Sequence, residues 1–319
     1  MSPQVKIVHG HSLPELENQV SSALGGGLDV TIDASLLGGW SNITLLTYSQ
    51  GRTFVLKLPA TKGPFASHPY AQEYRVMDFL SRDGLCPKPV KIGRLNDEDR
   101  TPFMVSEYVE GVVRSSLAEV TGSDLHNLRV ALSRLSARRP PGVKSYKKPS
   151  DYLSSIANTV KQSTMGAASP SPNLGRLLES FEAVVERVGD LADSSYIWSG
   201  KTMHGDLQRS NVIIQPNRIV LIDLGSCCIG EPLLDLAYFF SQDEGPILSI
   251  RREVLSSGDE LPIIEGLRPL AVISAVGWSL QFLQRLEADL FDGTALAPDA
   301  GTRVSRYVED KMQYLASLR

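Results

Sequence analysis

The chain has 319 residues, 42% of them hydrophobic and 21% charged, with a formal net charge of −4. That length is long for one small core and points to two domains of ordinary composition. The mild acidity speaks against a nucleic-acid binder, which carries a basic surface.

Residues 12–24, SLPELENQVSSAL, have helical spacing, with Ser12 as N-cap, Glu15 at the capping-box position and Gly25 to Gly27 as a stop. From 28 to 60 the pattern changes to strands, LDVTI, NITLLTYS and TFVLKLP, the last two joined by a turn at Gln50-Gly51-Arg52. Residues 69–82 return to helix, with Tyr70, Tyr74, Met77 and Leu80 or Phe79 on one side. PVKIG and PFMVSEYV are two further strands, the second ending at Glu110-Gly111. Residues 1–109 thus read as a small, mostly antiparallel sheet carrying one inserted helix. Residues 110–319 read as mainly helical, with helices over 123–138, 150–165, 173–192, 267–291 and 302–318 and loops at 139–149 and 166–173.

Three cysteines, Cys86, Cys227 and Cys228, make neither a disulfide framework nor a CxxC zinc site. The first thirty residues lack the basic start and apolar core of a signal peptide. The most apolar stretch, PLAVISAVGWSLQFL, is broken by Ser274, Gly277, Ser279 and Gln281, short of the roughly 20 apolar residues of a membrane span. The expectation is a cytoplasmic protein with no membrane or nucleic-acid partner.

Ser199-Gly200-Lys201-Thr202 spells the end of a phosphate-binding P-loop, but the required earlier Gly is Ser195, and a strand-like run follows instead of a helix. It reads as a polar turn. The informative stretch lies just beyond it: MHGDLQRSNVIIQPNRIVLIDLGSCC, a short hairpin with polar residues at its base. If 212–215 pairs with 218–222, Asn211 and Asp223 share its open end. Two hard oxygen ligands there suit Mg²⁺, which binds few protein oxygens together with substrate phosphates. Asp206, upstream on the same edge, is placed to accept a proton from a nucleophilic hydroxyl. Taken singly, each of these residues could merely cap a turn or end a strand.

The whole run through IGEPLLDLA resembles the signature HGDLxxxN…IDxxxxxxGDPxxDLA of the aminoglycoside phosphotransferase and choline-kinase-like family, distant relatives of protein kinases. The resemblance implies a bilobal, protein-kinase-like α+β fold. Its small antiparallel β N-lobe, 1–109, clamps the nucleotide through one key helix, and its larger helical C-lobe, 110–319, holds the catalytic loop and the acceptor pocket. By the same resemblance Asp206 is the catalytic base, His204 braces its loop, Asn211 and Asp223 hold the metal, and Asp235 ties the loop from a helix. Glu231 stands where the family has Asp, and Gln208 where relatives often carry His.

In the N-terminal part, Lys57 sits mid-strand among apolar neighbours, and Glu73 follows sixteen residues on in the helix. The pair resembles the kinase Lys–Glu ion pair that positions the α/β phosphates. LLGGWSNITLL occupies the slot of a nucleotide-covering loop, in which Ser41 and Asn42 offer phosphate donors. FMVSEYVEG resembles a kinase hinge, implying that the Glu107 carbonyl and the Val109 N–H meet the adenine edge.

The implied activity moves the γ-phosphate of ATP, with GTP an open alternative, to a hydroxyl of a small molecule such as an aminoglycoside, choline or sugar-like metabolite. Mg²⁺ is the implied cofactor, and the protein is a monomer or homodimer. Two other readings stand beside it: an atypical protein kinase, against which speak the missing HRD, DFG and APE segments, and a catalytically silent nucleotide-binding regulator. Glu260, Glu265, Glu287, Asp289 and Asp292 are candidates to attract a cationic acceptor, or simply surface charges. His9, His11, His68 and His126 lack metal-ligand spacing, and Trp40 and Trp278 read as core or as pocket lining.

Overall fold

A computed structural model describes residues 7–24, 30–36, 42–61, 70–163, 170–195, 198–242, 260–292, 296 and 299–318. The chain divides into two compact units, Met1–Val109 with Asp289–Pro298, and Glu110–Ala288 with Asp299–Arg319.

The first unit opens with a two-stranded ribbon, β1 (Ile7–Val8) and β2 (His11–Ser12), and helix α1 (Leu13–Ala23). The Glu15 carboxylate accepts from both the N–H and the hydroxyl of Ser12, each at 2.8 Å, and Leu16 and Val20, one turn apart, bury the inner face. A five-stranded antiparallel sheet follows, β3 (Thr31–Leu36), β4 (Asn42–Ser49), β5 (Arg52–Pro59), β6 (Pro89–Arg94) and β7 (Pro102–Glu107), in the order β3-β4-β5-β7-β6. Gln50 and Gly51 both have positive φ, the turn geometry that matches the twist of a two-residue hairpin, and they fix the register Ser49↔Arg52.

Helix α2 (Tyr70–Ser81) buries Tyr70, Glu73, Val76, Met77 and Leu80. The side expected from the sequence had Tyr74 on it. Instead Tyr74 is half-buried and Glu73 takes a place on the buried stripe. The segment 289–298, read in the sequence as part of the helical domain, belongs to the first unit. Asp292 explains it: its carboxylate accepts the His9 N–H at 2.7 Å and its own N–H donates to the Ala60 carbonyl at 2.8 Å.

The second unit contains α3 (Gly122–Ser136), α4 (Pro149–Ser163), α5 (Pro172–Ser195), α6 (Leu233–Phe239), α7 (Glu260–Glu287) and α8 (Ala300–Ser317). Helix α7 is its axis. It has 28 residues, about 42 Å at 1.5 Å per residue, and is packed against α4, α5, α6 and α8. It starts earlier than the sequence pattern suggests and runs through Pro269. It stops before Asp289, whose positive φ cannot continue a helix. By length and composition α7 alone among the described residues could cross a membrane, but 72% of its most apolar window is buried within the protein, the behaviour of a core helix. Gly277 lets α4 approach closely, since a Cβ there would lie 2.5 Å from Ile156 Cγ2.

Two small sheets complete this unit. One is the hairpin of β10 (Val212–Gln215) and β11 (Arg218–Leu221), and the other is three-stranded, with β12 (Cys228–Gly230) between β8 (Lys144–Ser145) and β9 (Lys201–Met203). Strand β9 contains the Lys201-Thr202 of the P-loop-like string, and Thr202 is buried with its hydroxyl on the Arg138 carbonyl. The string is a structural turn into a strand, as its sequence context indicated.

Candidate active site

In the second unit the functional residues are assembled by the hairpin and by the loop that precedes it. The register Val212↔Leu221 is prolonged by one bond, from the Ile222 N–H to the Asn211 carbonyl at 3.0 Å. Asn211 therefore lies across from Ile222 and Asp223 one residue beyond, both at the open end. Asp223 adopts φ 60, ψ 56, the left-handed region, which a non-glycine residue occupies at an energetic cost and which is concentrated at functional sites.

The loop 204–208 is pinned beneath that end. Gly205 has φ +81, and a Cβ on it would lie 2.2 Å from the Ser226 carbonyl oxygen, so only glycine fits. Asp235, at the start of α6 and 1% exposed, accepts the N–H groups of His204 at 2.6 Å and Gly205 at 2.9 Å with its two carboxylate oxygens. Burial pushes its pKa up to about 6, although His204 and the two backbone N–H groups oppose the rise. His204 is fully buried. Its Nδ1 faces the Asp206 N–H at 3.3 Å, so Nε2 carries the proton and donates to the Ile222 carbonyl at 2.9 Å. The imidazole thereby links the loop to the strand that ends at Asp223.

Asp206 is held from several sides. Gln208 Nε2 donates to Oδ1 at 3.0 Å, and Asn211 Nδ2 donates to the Asp206 carbonyl at 2.9 Å while standing 3.4 Å from Oδ2. With Nδ2 so engaged, Asn211 Oδ1 is the side-chain atom left to bind something else. The Tyr238 hydroxyl on α6 also reaches the Asp206 carboxylate, and burial together with that negative charge raises the tyrosine's pKa. Tyr238 was missed in the sequence, although its position three residues after Asp235 puts it one helical turn along from a site residue. Glu231, the longer acid at an Asp position, is a structural cap: its oxygens accept the N–H of Ser199 at 3.0 Å and of Leu233 at 3.2 Å.

In the first unit Lys57 and Glu73 form a bidentate pair, Nζ lying 2.8 Å from Oε1 and 3.0 Å from Oε2, with Glu73 1% exposed. Tyr70 closes over it, its ring centroid 6.0 Å from Nζ and its hydroxyl donating to Asn42 Oδ1 at 2.7 Å. Asn42 is thus a buried tie between β4 and α2, with only Nδ2 left as a donor; Ser41 lies outside the described residues. At the end of β7, the Tyr108 N–H bonds the Thr53 carbonyl and the Glu107 N–H bonds the Lys88 carbonyl. This leaves the Glu107 carbonyl outside the β5–β7 ladder. The Glu107 side chain meets Arg52 at 2.6 Å on the surface, and Val109 is half-buried. Among the described residues no three His, Cys, Asp or Glu side chains cluster as a metal site. The pair expected from the sequence, Asn211 and Asp223, offers two oxygens, a set of the size that Mg²⁺ takes from protein beside phosphates.

A five-stranded unit with a buried Lys–Glu pair, followed by a helical unit with an HGD loop and an Asn–Asp hairpin, defines a kinase-like α+β phosphotransferase. Residues 34–255 match the model of the phosphotransferase enzyme family APH, and the chain belongs to that family. Its class is that of phosphotransferases acting on hydroxyl groups of small molecules. Among solved structures it is similar to the ethanolamine kinase of Plasmodium vivax, with TM-score 0.63 and 16% identity over 94% of this chain and 83% of that one. It is also similar to an aminoglycoside phosphotransferase solved with GDP and kanamycin, with TM-score 0.62 and 16% identity over 93% and 98%. A third is a thermostable aminoglycoside phosphotransferase mutant solved with AMP-PNP and hygromycin B, with TM-score 0.54 and 16% identity over 95% and 100%. At these identities the likeness is one of fold. A comparison with curated proteins finds no match.

Proposed function

We propose that the protein transfers the γ-phosphoryl group of ATP to a hydroxyl of a small molecule, with Asp206 as the base. The observation that carries this is the Asp206 carboxylate itself: oriented by Gln208 and Tyr238, in a loop latched by Asp235, beside an asparagine with a free oxygen. In the step, the acceptor oxygen bonds the γ-phosphorus while the bond from that phosphorus to the β,γ-bridging oxygen breaks. The acceptor's proton passes to Asp206, and the nucleoside diphosphate leaves. Lys57, held by Glu73, contacts the α and β phosphates, and Ser41 and Asn42 Nδ2 offer further donors to them. The Glu107 carbonyl and the Val109 N–H meet the base edge, a reading that suits adenine, with guanine open to the same test. Asn211 Oδ1 and the Asp223 carboxylate would hold Mg²⁺, which when bound neutralises phosphate charge. His204 keeps the loop in register.

The protein-kinase alternative has little room. Between Asp223 and α6 the chain is spent on a short helical turn, 224–226, and on β12, which leaves no long segment on which to lay a peptide. Three buried free cysteines suit a reducing compartment, which supports the cytoplasmic reading. The test is Asp206→Asn. Turnover, read as ADP release, should fall at least 10²-fold, the scale of a lost general base. The Kd for ATP with magnesium, from calorimetry, should stay within about threefold. Wild-type turnover in the variant would overturn the assignment, and nucleotide binding with no turnover by the wild type on any hydroxylated compound would favour the silent regulator.

A further inference from the structure

The loop that carries Asp206 also carries a side chain with two unlike ends, of which only one is engaged. Gln208 Nε2 donates to Asp206 Oδ1 at 3.0 Å. An ionised carboxylate only accepts, so the amide nitrogen is the end that faces Asp206 and the oxygen is the end left over. The stem of the side chain is held in place by its own backbone: the Gln208 N–H donates to the Asp206 carbonyl at 2.9 Å, and the Gln208 carbonyl accepts the Asn211 N–H at 3.0 Å. Among the described residues Oε1 accepts no hydrogen bond, yet it is not a sealed atom, since Gln208 is half-buried and its oxygen meets solvent.

The position of that oxygen decides what it can read. Within an amide the nitrogen and oxygen lie about 2.3 Å apart. With Nε2 bonded to Oδ1, Oε1 lies roughly 4–5 Å from the base oxygen, depending on which N–H is donated. Two oxygens on neighbouring carbons in a gauche arrangement are about 3 Å apart. A molecule whose reacting hydroxyl gives its proton to Asp206 can therefore give a second hydrogen, from the next carbon, to Gln208. Both protein atoms are acceptors, so that neighbour must be a donor, either a hydroxyl or an amine with an N–H. An ether oxygen or a quaternary ammonium in its place has no hydrogen to give. Other polar groups around the base are spent, Asn211 Nδ2 on the Asp206 carbonyl and His204 Nδ1 on the Asp206 N–H. So are four acidic side chains that the sequence offers for a cationic acceptor: Glu260 pairs with Arg129, Glu265 with Arg268, Glu287 accepts from Ser171, and Asp292 is bonded to His9.

We propose that Gln208 is a specificity-determining residue and that the acceptor is a vicinal diol or a 1,2-amino alcohol, held through its reacting hydroxyl by Asp206 and through the neighbouring donor by Gln208 Oε1. The inference rests on Asp206 as the base and narrows the acceptor class of that same site.

The test reads ADP release by the full chain with matched acceptors that differ in hydrogen-bond donors: cis-cyclohexane-1,2-diol against its monomethyl ether, and ethanolamine against choline. In at least one pair kcat/KM should favour the donor-bearing member by about tenfold, the scale of one added hydrogen bond, and the pair that responds tells hydroxyl from amine. Gln208→Lys keeps a donor for Asp206 but has no acceptor, and Gln208→Leu has neither. In both variants the preference should fall to within about twofold. A role limited to positioning Asp206 would instead lower both members of a pair together and leave their ratio unchanged. The ratio is internal to each preparation, so a variant that folds only in part still reports it. The proposal is overturned by no turnover of either donor-bearing probe, by a wild-type ratio below about twofold in both pairs, or by a preference that survives Gln208→Lys. Asp206→Asn keeps the two readings apart. If it abolishes turnover while the wild-type ratios are near one, the base assignment stands without the proposal; turnover that persists in it sinks the base assignment.

Discussion

Replacing Asp235 by Asn removes a charge with almost no change in volume, and two opposing effects can be weighed from the structure. The carboxylate accepts two backbone N–H groups, whereas an amide offers one oxygen and turns an NH₂ toward the other N–H. Leaving one buried N–H unsatisfied costs about 1–3 kcal/mol. Against this stands the charge itself. The pKa rises from the ordinary 3.8 to about 6 in the folded protein; at 1.36 kcal/mol per pH unit, keeping the group ionised at neutral pH costs about 3 kcal/mol. Because the folded pKa is raised, the wild type binds the proton more tightly when folded. The stabilisation this gives is fully present below pH 3.8 and is lost as the pH rises through about 6. At pH 7.5 the two effects nearly cancel, so Asp235→Asn should shift stability by no more than about 2 kcal/mol. Turnover should nevertheless fall at least tenfold, because the loop that carries Asp206 loses one of its two latches. Urea unfolding of both proteins at pH 5 and pH 7.5, alongside ADP release, measures all three quantities. The wild type should lose stability relative to the variant between those pH values. A variant that unfolds more than about 4 kcal/mol more easily at pH 7.5, or that turns over within twofold of wild type, would refute the reasoning.

Lys57→Met should leave Glu73 charged and buried without its cation, a loss of about 3–5 kcal/mol by urea unfolding; Lys57→Met with Glu73→Leu should recover much of that stability but not the nucleotide KM. Gly205→Ala should destabilise by about 2 kcal/mol or more and abolish turnover, since the added Cβ meets the Ser226 carbonyl oxygen and the φ is left-handed; a variant with wild-type thermal unfolding and activity would show that the loop can move aside.

What the sequence made legible is contiguous or periodic. The HGD loop and the hairpin lie within 25 residues, and antiparallel pairing alone carries Asn211 and Asp223 to one end. Glu73 was found by its spacing from Lys57, although its place on the buried stripe of α2 became visible only when Tyr74 proved half-buried. The sheet β8-β12-β9 was invisible because strands of two or three residues have no period to detect, and its partners are separated by up to 84 positions, from Lys144 to Cys228. Tyr238 was passed over because α6 is only seven residues long. The polar breaks in α7, Ser274, Gly277, Ser279 and Gln281, argue in the sequence against a membrane span, and the helix's burial among α4, α5, α6 and α8 agrees with them.

The separation of these features along the chain has a physical logic. Phosphoryl transfer demands the same charges around the phosphates whatever the acceptor, and the residues assigned to that task, from Asn42 to Asp235, fall inside the family match at 34–255. Helix α7 begins at Glu260, beyond it. The phosphoryl chemistry is thus assigned to residues inside the matched stretch, while α7 supplies the buried axis on which α4, α5, α6 and α8 pack.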